Sequence, residues 1–229
     1  MPQPRDPIRK FKTAMTMTKP ALLTLCLAAA VAVVPATTGL SPIDAVSHAA
    51  PQPDPVPQRW QLRLRPGPLR IMTVRDDSGQ SKPYAYFTYD VINLTGEEQT
   101  LIPSFELATD EGHLLRSGRD VPTEVTQTIL ERLKNPFLED ERSIRGPIQP
   151  GRENAKSGLV IWPLPTTSAD EIVIYAEGFS GETASVERPD TGESIVLRKT
   201  KMLRHATPGD IRTDSDRPLR RIEDRWIMR

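Results

Sequence analysis

Between Tyr84 and Asn93 the chain alternates strictly, with Ala85, Phe87, Tyr89 and Val91 on one face and Tyr86, Thr88 and Asp90 on the other. Aromatic and β-branched residues at period two fit a pleated, half-buried surface, not a helix whose faces repeat every 3.6 residues. A strand cannot pair its own backbone groups, so this segment commits the chain to a sheet, with the first set of residues turned to the core.

The same period recurs along the body. Trp60, Leu62 and Leu64 alternate with Gln61, Arg63 and Arg65 up to Pro66-Gly67-Pro68, which is expected to end that strand. A second stretch, Leu69 to Val74, stops at the turn residues Asp76-Asp77-Ser78-Gly79. Leu94-Thr95-Gly96-Glu97-Glu98 reads as a hairpin loop, returning through Leu101, Pro103, Phe105 and Leu107, with Pro103 marking an edge or a bulge. A short strand follows near His113 to Arg116. Gly158 to Trp162 is continuously apolar, the mark of a central strand, and Glu171 to Ala176 is another; Ser194 to Arg204 mixes apolar and basic residues and is expected to be half exposed. Pro208-Gly209 closes the domain.

One segment breaks the period. From Pro122 to Lys134 the apolar positions Val125, Ile129 and Leu133 recur every four residues, one stripe of a helix inserted over residues 119–142, with Asp120 or Val121 near its cap. Strands between turns with a single helix predict a mainly β domain over residues 59–207, an antiparallel sandwich of roughly seven to nine strands.

The ends have a different character. Arg9, Lys10, Lys12 and Lys19 precede an apolar run from Ala21 to Val34, the order of an export signal, so residues 1–49 are read as a signal peptide cut after Ala49, with Ala36 as the other small-residue site. As a helix that run spans only about 21 Å against a hydrocarbon core of roughly 30 Å. Left uncut and extended to Leu40, it reaches across as an anchor, the one case in which membrane contact is expected. In both cases the body faces outward, in the periplasm or the extracellular space. Leu25 before Cys26 does not suit lipidation. Residues 50–58, with proline at alternate positions from Pro51 to Pro57, read as an extended spacer. In the tail, 208–229, Leu219, Ile222, Trp226 and Ile227 line a helical face while Ile222, Trp226 and Met228 line a strand; either form is expected to dock on the body.

The bulk numbers exclude several functions. Cys26 is the only cysteine, so the body has no thiol chemistry and no disulfide. The first 49 residues hold five of the 30 Lys/Arg and two of the 30 Asp/Glu, leaving three more acids than bases beyond them. No basic excess remains for nucleic acid.

Tyr89-Asp90-Val91-Ile92-Asn93-Leu94-Thr95-Gly96, with Pro103-Ser104-Phe105, Asp110-Glu111-Gly112 and Pro150-Gly151 before an apolar strand, resembles exported bacterial immunoglobulin-like β-sandwich domains of unknown function, from Arg59 to Ala176. The resemblance implies a fold, with Asn-x-Thr-Gly as a strand-to-turn corner, and no catalytic residues. The inserted helix and the missing Cys-Trp-Cys core depart from antibody domains.

Chemistry-bearing motifs are sparse. His113 and His205 stand far apart; Gly178-Phe179-Ser180-Gly181-Glu182 lacks the glycine a nucleophile elbow needs two residues after its serine; Asp210, Asp214 and Asp216 lack the glycine and twelfth-position glutamate of an EF-hand. No cofactor or metal is expected. The reading is a noncatalytic exported module that binds or braces an envelope protein or polymer. Val125, Ile129 and Leu133 of the helix, and Trp226 of the tail, are its candidate contact residues. The same helical stripe would equally cover an open end or edge of the sandwich. Two rivals stay open. A hydrolase would need His113 or His205 in reach of a carboxylate and a hydroxyl in a concave site, and a carbohydrate-binding module would need two coplanar exposed rings among Trp60, Tyr84, Tyr86, Trp162 and Trp226.

Overall fold

The alternating runs pair into long antiparallel ladders. In the computed structural model, which describes residues 50–75, 79–207 and 217–229, the elements are β1 (Arg63–Arg75), β2 (Ser81–Asn93), β3 (Gln99–Leu101), β4 (Ser104–Thr109), β5 (Leu114–Arg116), α1 (Thr123–Leu133), β6 (Leu138–Glu139), β7 (Gly146–Ile148), β8 (Gly151–Pro163), β9 (Glu171–Glu177), β10 (Thr183–Glu187), β11 (Ser194–Ala206) and β12 (Arg220–Met228). Residues 1–49, read from the sequence as a signal peptide, residues 76–78 of the expected turn, Pro208-Gly209 and Asp210, Asp214 and Asp216 lie outside the described residues. No helix among the described residues is long and apolar enough to cross a membrane.

Two open sheets result. One has the order β1-β2-β8-β6, antiparallel except for the two-residue β6–β8 contact. In the other, β9 and β10 pair with successive parts of β11, β4 and β5 continue outward from β9, and β12 also lies along β11. β3 and β7 form a separate pair. The described strands number twelve where seven to nine were expected, and the excess is the two- and three-residue pieces β3, β5, β6 and β7.

The sheets share one apolar core. Leu69, Ile71, Ala85, Phe87, Tyr89, Val91, Val160 and Trp162 of the first meet Phe105, Leu107, Ile172, Ile174, Ala176 and Leu203 of the second. Tyr89 spans the interface, 4.7 Å from the Phe105 ring and 5.9 Å edge-on to Phe179. Such aromatic pairs add roughly 0.5 to 1.5 kcal/mol each beyond the area they bury.

The continuous apolar run in β8 has a direct cause: both faces are covered. Val160 and Trp162 enter the shared core, while Leu159 and Ile161 join Met72, Val74, Tyr84 and Tyr86 in a second cluster beneath Val125 and Ile129 of α1. The helix starts at Pro122, with no side chain capping it, and stops at Lys134, whose φ of 50° and N–H bond to the Leu130 carbonyl close the last turn.

Two local expectations are corrected. Pro66-Gly67-Pro68 does not end the first strand but forms a bulge within β1, where a Cβ on Gly67 would stand 2.6 Å from the Thr88 carbonyl oxygen. Leu94 to Glu98 is not a hairpin loop, because it carries the chain from the first sheet across to β3 and then β4 of the second. Asn93 holds that corner: its amide donates to the Glu97 and Ile148 carbonyls at 2.7 and 2.8 Å and accepts from the Thr95 N–H and hydroxyl. The stretch 50–58, read as an extended spacer, touches the body where the Asp54 N–H donates to Glu182 Oε1 at 2.7 Å. The tail is strand, not helix. Leu219 donates to the Leu69 carbonyl and Arg221 to the carbonyls of Pro66 and Gly67, so the segment entering β12 ties the second sheet to the β1 edge of the first.

Gly158 faces Tyr89 across the β2–β8 ladder, and a Cβ there would stand 2.3 Å from the ring. That ring is fixed by Phe105 and Phe179 and has nowhere to move. Its hydroxyl, in contrast, is buried without a partner. Urea denaturation should therefore show a loss of about 2 kcal/mol or more for Gly158→Val, with Tyr89→Phe within about 0.5 kcal/mol of the parent or more stable.

Candidate functional site

The helical insertion leaves the second sheet at β5 and joins the first at β6, and a cleft opens where its two ends come together. Ser117 donates its N–H to the Phe105 carbonyl of β4, and Gly118 donates to the Ile161 carbonyl of β8, so this turn is pinned to both sheets. Gly118 needs its φ of 67° and its missing side chain, because a Cβ would stand 2.8 Å from Glu141 Oε2. Opposite lies the turn after β6. Asp140 Oδ1 accepts the N–H groups of Arg142 and Ser143 at 3.0 and 2.7 Å, and the buried Ile144 anchors the turn. Burial alone would raise the Asp140 carboxyl; the Ser143 and Arg142 contacts outweigh it and hold it below the ordinary range.

Between these turns and the start of α1 lies a cavity of about 650 Å³ floored by Leu159 and Ile161. Arg116, Arg119, Arg142 and Arg145 line it, against Asp140 and Glu141. Arg145 is paired with Glu141 at 3.4 Å and Arg116 loosely with Glu106 at 3.8 Å, whereas Arg119 has no ion pair among the described residues. Ser117, only 6% exposed, is one of the cleft-lining residues, and its buried hydroxyl has no hydrogen-bond partner. A rigid wall with surplus guanidinium and an unsatisfied hydroxyl suits an oxyanion.

The predicted contact residues fall elsewhere. Val125 and Ile129 are buried against the outer sheet face and offer nothing to a partner. Leu133 is half-buried and lines a second cleft of about 370 Å³ with the β1 bulge. Trp226 is half-buried on β12, against the core, with the Lys199 and Lys201 ammoniums 5.8 and 5.2 Å from its ring centre. None of these four lines the arginine cleft. Sequence reasoning missed the arginines, whose signal was their recurrence three apart on each flank of the insertion, at 116 and 119 and again at 142 and 145.

The elbow-like segment is structural. Phe179 is buried in the core, the Ser180 hydroxyl donates to the Trp60 carbonyl, and Glu182 forms a buried ion pair with Lys199 at 2.6 Å. Burial would raise the Glu182 carboxyl, but Lys199 and the Asp54 N–H prevail and hold it low. His113 Nδ1 stands 3.3 Å from the Thr109 hydroxyl and 3.7 Å from Glu111 Oε2, while Ser168 and Thr166 donate to Glu111 itself. Hydroxyl and carboxylate thus share one ring nitrogen, and the serine bonds the acid directly. This arrangement ties two loops together and is not the nucleophile-base-acid order of a relay. Among the described residues, no three His, Cys, Asp or Glu side chains converge as a metal site. Of the five rings proposed for sugar stacking, Tyr84, Tyr86 and Trp162 are buried, and Trp60 and Trp226 are half-buried against the core.

Compared with protein-family models, curated proteins and solved structures, the chain matches none.

His205 is buried on β11 with neither ring nitrogen hydrogen-bonded. Burial, followed by the nearby Arg221 charge, pushes its pKa down to about 4, against a partial opposing pull from the backbone at Leu203 and Ile172 and then from Asp224. The unfolded chain binds this proton near pH 6.5, so stability falls as pH drops through the window from 6.5 to about 4. Urea melts at pH 7 and pH 5 should differ by about 2 kcal/mol from this group alone, and the difference should shrink by that amount in His205→Leu.

Proposed function

We propose that this chain is a noncatalytic binding module that works outside the cytoplasm, on an immunoglobulin-like sandwich, and engages another component of the cell envelope. The observation that carries the reading is the arginine-lined cleft at the mouth of the helical insertion. Its walls are hydrogen-bonded to both sheets and its floor is the outer face of a central strand, so the cleft is preformed. Long excursions from a rigid scaffold are where recognition concentrates. The basic and apolar order of Arg9 to Val34 supports export. Two facing antiparallel sheets around a buried tryptophan, Trp162, support the immunoglobulin-like assignment.

Site-specific crosslinking tests this reading. A photoreactive amino acid replaces Arg119 in the full-length chain, and in a second version replaces the exposed Glu187 on β10. Envelope fractions of the native host should give a discrete adduct from position 119 only. The same adducts from both positions, or none from either, overturns the assignment of the cleft as a binding site.

A further inference from the structure

We propose that the cleft takes an acidic peptide segment, an extended stretch carrying at least two carboxylates, held by the guanidinium groups of Arg119 and Arg142 and by the Ser117 hydroxyl. The inference rests on reading the cleft as a binding site. It follows from how the charges are already used. Asp140 and Glu141 keep their negative charges, Asp140 beside Arg142 and Glu141 with Oε1 on Arg145 and Oε2 buried without a partner. But four guanidinium groups line the cleft against these two carboxylates, and neither acid forms an ion pair with Arg119. Arg119 is exposed and without an ion pair among the described residues. Guanidinium groups match a planar carboxylate with two parallel hydrogen bonds, a geometry lysine does not offer.

Ser117 is the second observation. A hydroxyl in a buried position without a partner loses hydrogen-bonding free energy, and a ligand oxygen entering from the cleft restores it. The start of α1 adds to the same field: no side chain caps it, and Thr123 lines the cleft. The floor selects among anions. Leu159 and Ile161 are aliphatic and no aromatic ring lines the cavity, so neither a nucleobase nor a sugar ring finds a stacking partner, whereas glutamate methylenes do find apolar contact. A volume of about 650 Å³ exceeds what a lone ion fills.

The test is fluorescence anisotropy on the full-length protein with a labelled hexapeptide of alternating alanine and glutamate, beside the same peptide with glutamine. The glutamate peptide should bind saturably, and the glutamine peptide at least about tenfold more weakly. Arg119→Gln combined with Arg142→Gln, both exposed positions, should weaken the glutamate peptide about tenfold or more, and Ser117→Ala severalfold, while Glu187→Gln leaves it unchanged. Equal binding of the two peptides, binding of neither at millimolar concentration, or an unaffected double variant overturns the proposal. Displacement by inorganic phosphate well below millimolar also overturns it, in favour of a phosphate-bearing ligand. If position 119 crosslinks to a partner while the glutamate peptide fails to bind, the peptide assignment falls and the binding site stands.

Discussion

The structure depends on shielding both faces of β2 and β8. These central strands carry large apolar side chains inward, to the shared core, and outward, through Tyr84, Tyr86, Leu159 and Ile161. A sheet in a two-layer fold ordinarily leaves its outer face to water and keeps polar residues there. Here that face is apolar, so something must cover it, and α1 is the only helix among the described residues to do so. Burying Val125 and Ile129 together with the residues beneath them stabilises the fold by several kcal/mol, at roughly 1.5 to 3 kcal/mol per large side chain. The insertion is therefore a third layer on the first sheet, and the cleft is a consequence of how that layer is attached. The chain leaves the second sheet after β5, crosses to the outer face of the first as α1 and rejoins the first sheet at β6, and the turns at the two ends of this excursion meet over β8. The residues at those turns are arginines.

Much of the first sheet was legible in the sequence because alternation and burial coincide there. Ala85, Phe87, Tyr89 and Val91 face the core as their period implies, and the unbroken run Leu159 to Trp162 occupies an interior strand because both its sides are dry. Pairing partners were not legible. Leu94 to Glu98 has the composition of a hairpin loop, and only the hydrogen bonds of the Asn93 amide to Glu97 and Ile148 turn the chain toward the other sheet. Local propensity reports turning; it does not report which strand the next one joins. Pro66-Gly67-Pro68 misled for a related reason. Proline breaks a central ladder, but β1 is an edge strand, where a bulge absorbs it.

The cleft was less legible than the fold. Its arginines are distant in sequence from one another's partners, and the two acids beside them, Asp140 and Glu141, read in isolation as part of an acidic patch. Hydrogen bonds within the turn fix the Asp140 carboxylate against its own backbone, and Glu141 Oε1 pairs with Arg145, so the two acids are held in place beside four guanidinium groups. The lining as a whole carries more guanidinium than carboxylate, an excess that the acidic run Glu139 to Glu141 does not suggest. Charge counted along a short run and charge gathered by a surface diverge when folding brings together residues from both flanks of an insertion.

The tail illustrates the same divergence for apolar residues. Ile222, Trp226 and Met228 fit a strand and Leu219, Ile222, Trp226 and Ile227 fit a helix, so periodicity alone was neutral. Tertiary pairing decided it, because β11 presents an open ladder over Lys199 to Ala206 that only a strand can fill. The lysines of β11 then lie beside the Trp226 ring, and Lys201 pairs with Asp224, so the basic residues that made β11 look half exposed are satisfied by the segment that covers it. Arg221 completes the closure by donating to two carbonyls of the β1 bulge, those of Pro66 and Gly67. A single C-terminal strand thus supplies backbone pairing to one sheet and side-chain hydrogen bonds to the edge of the other, which makes it a bridge between the layers and not an appendage.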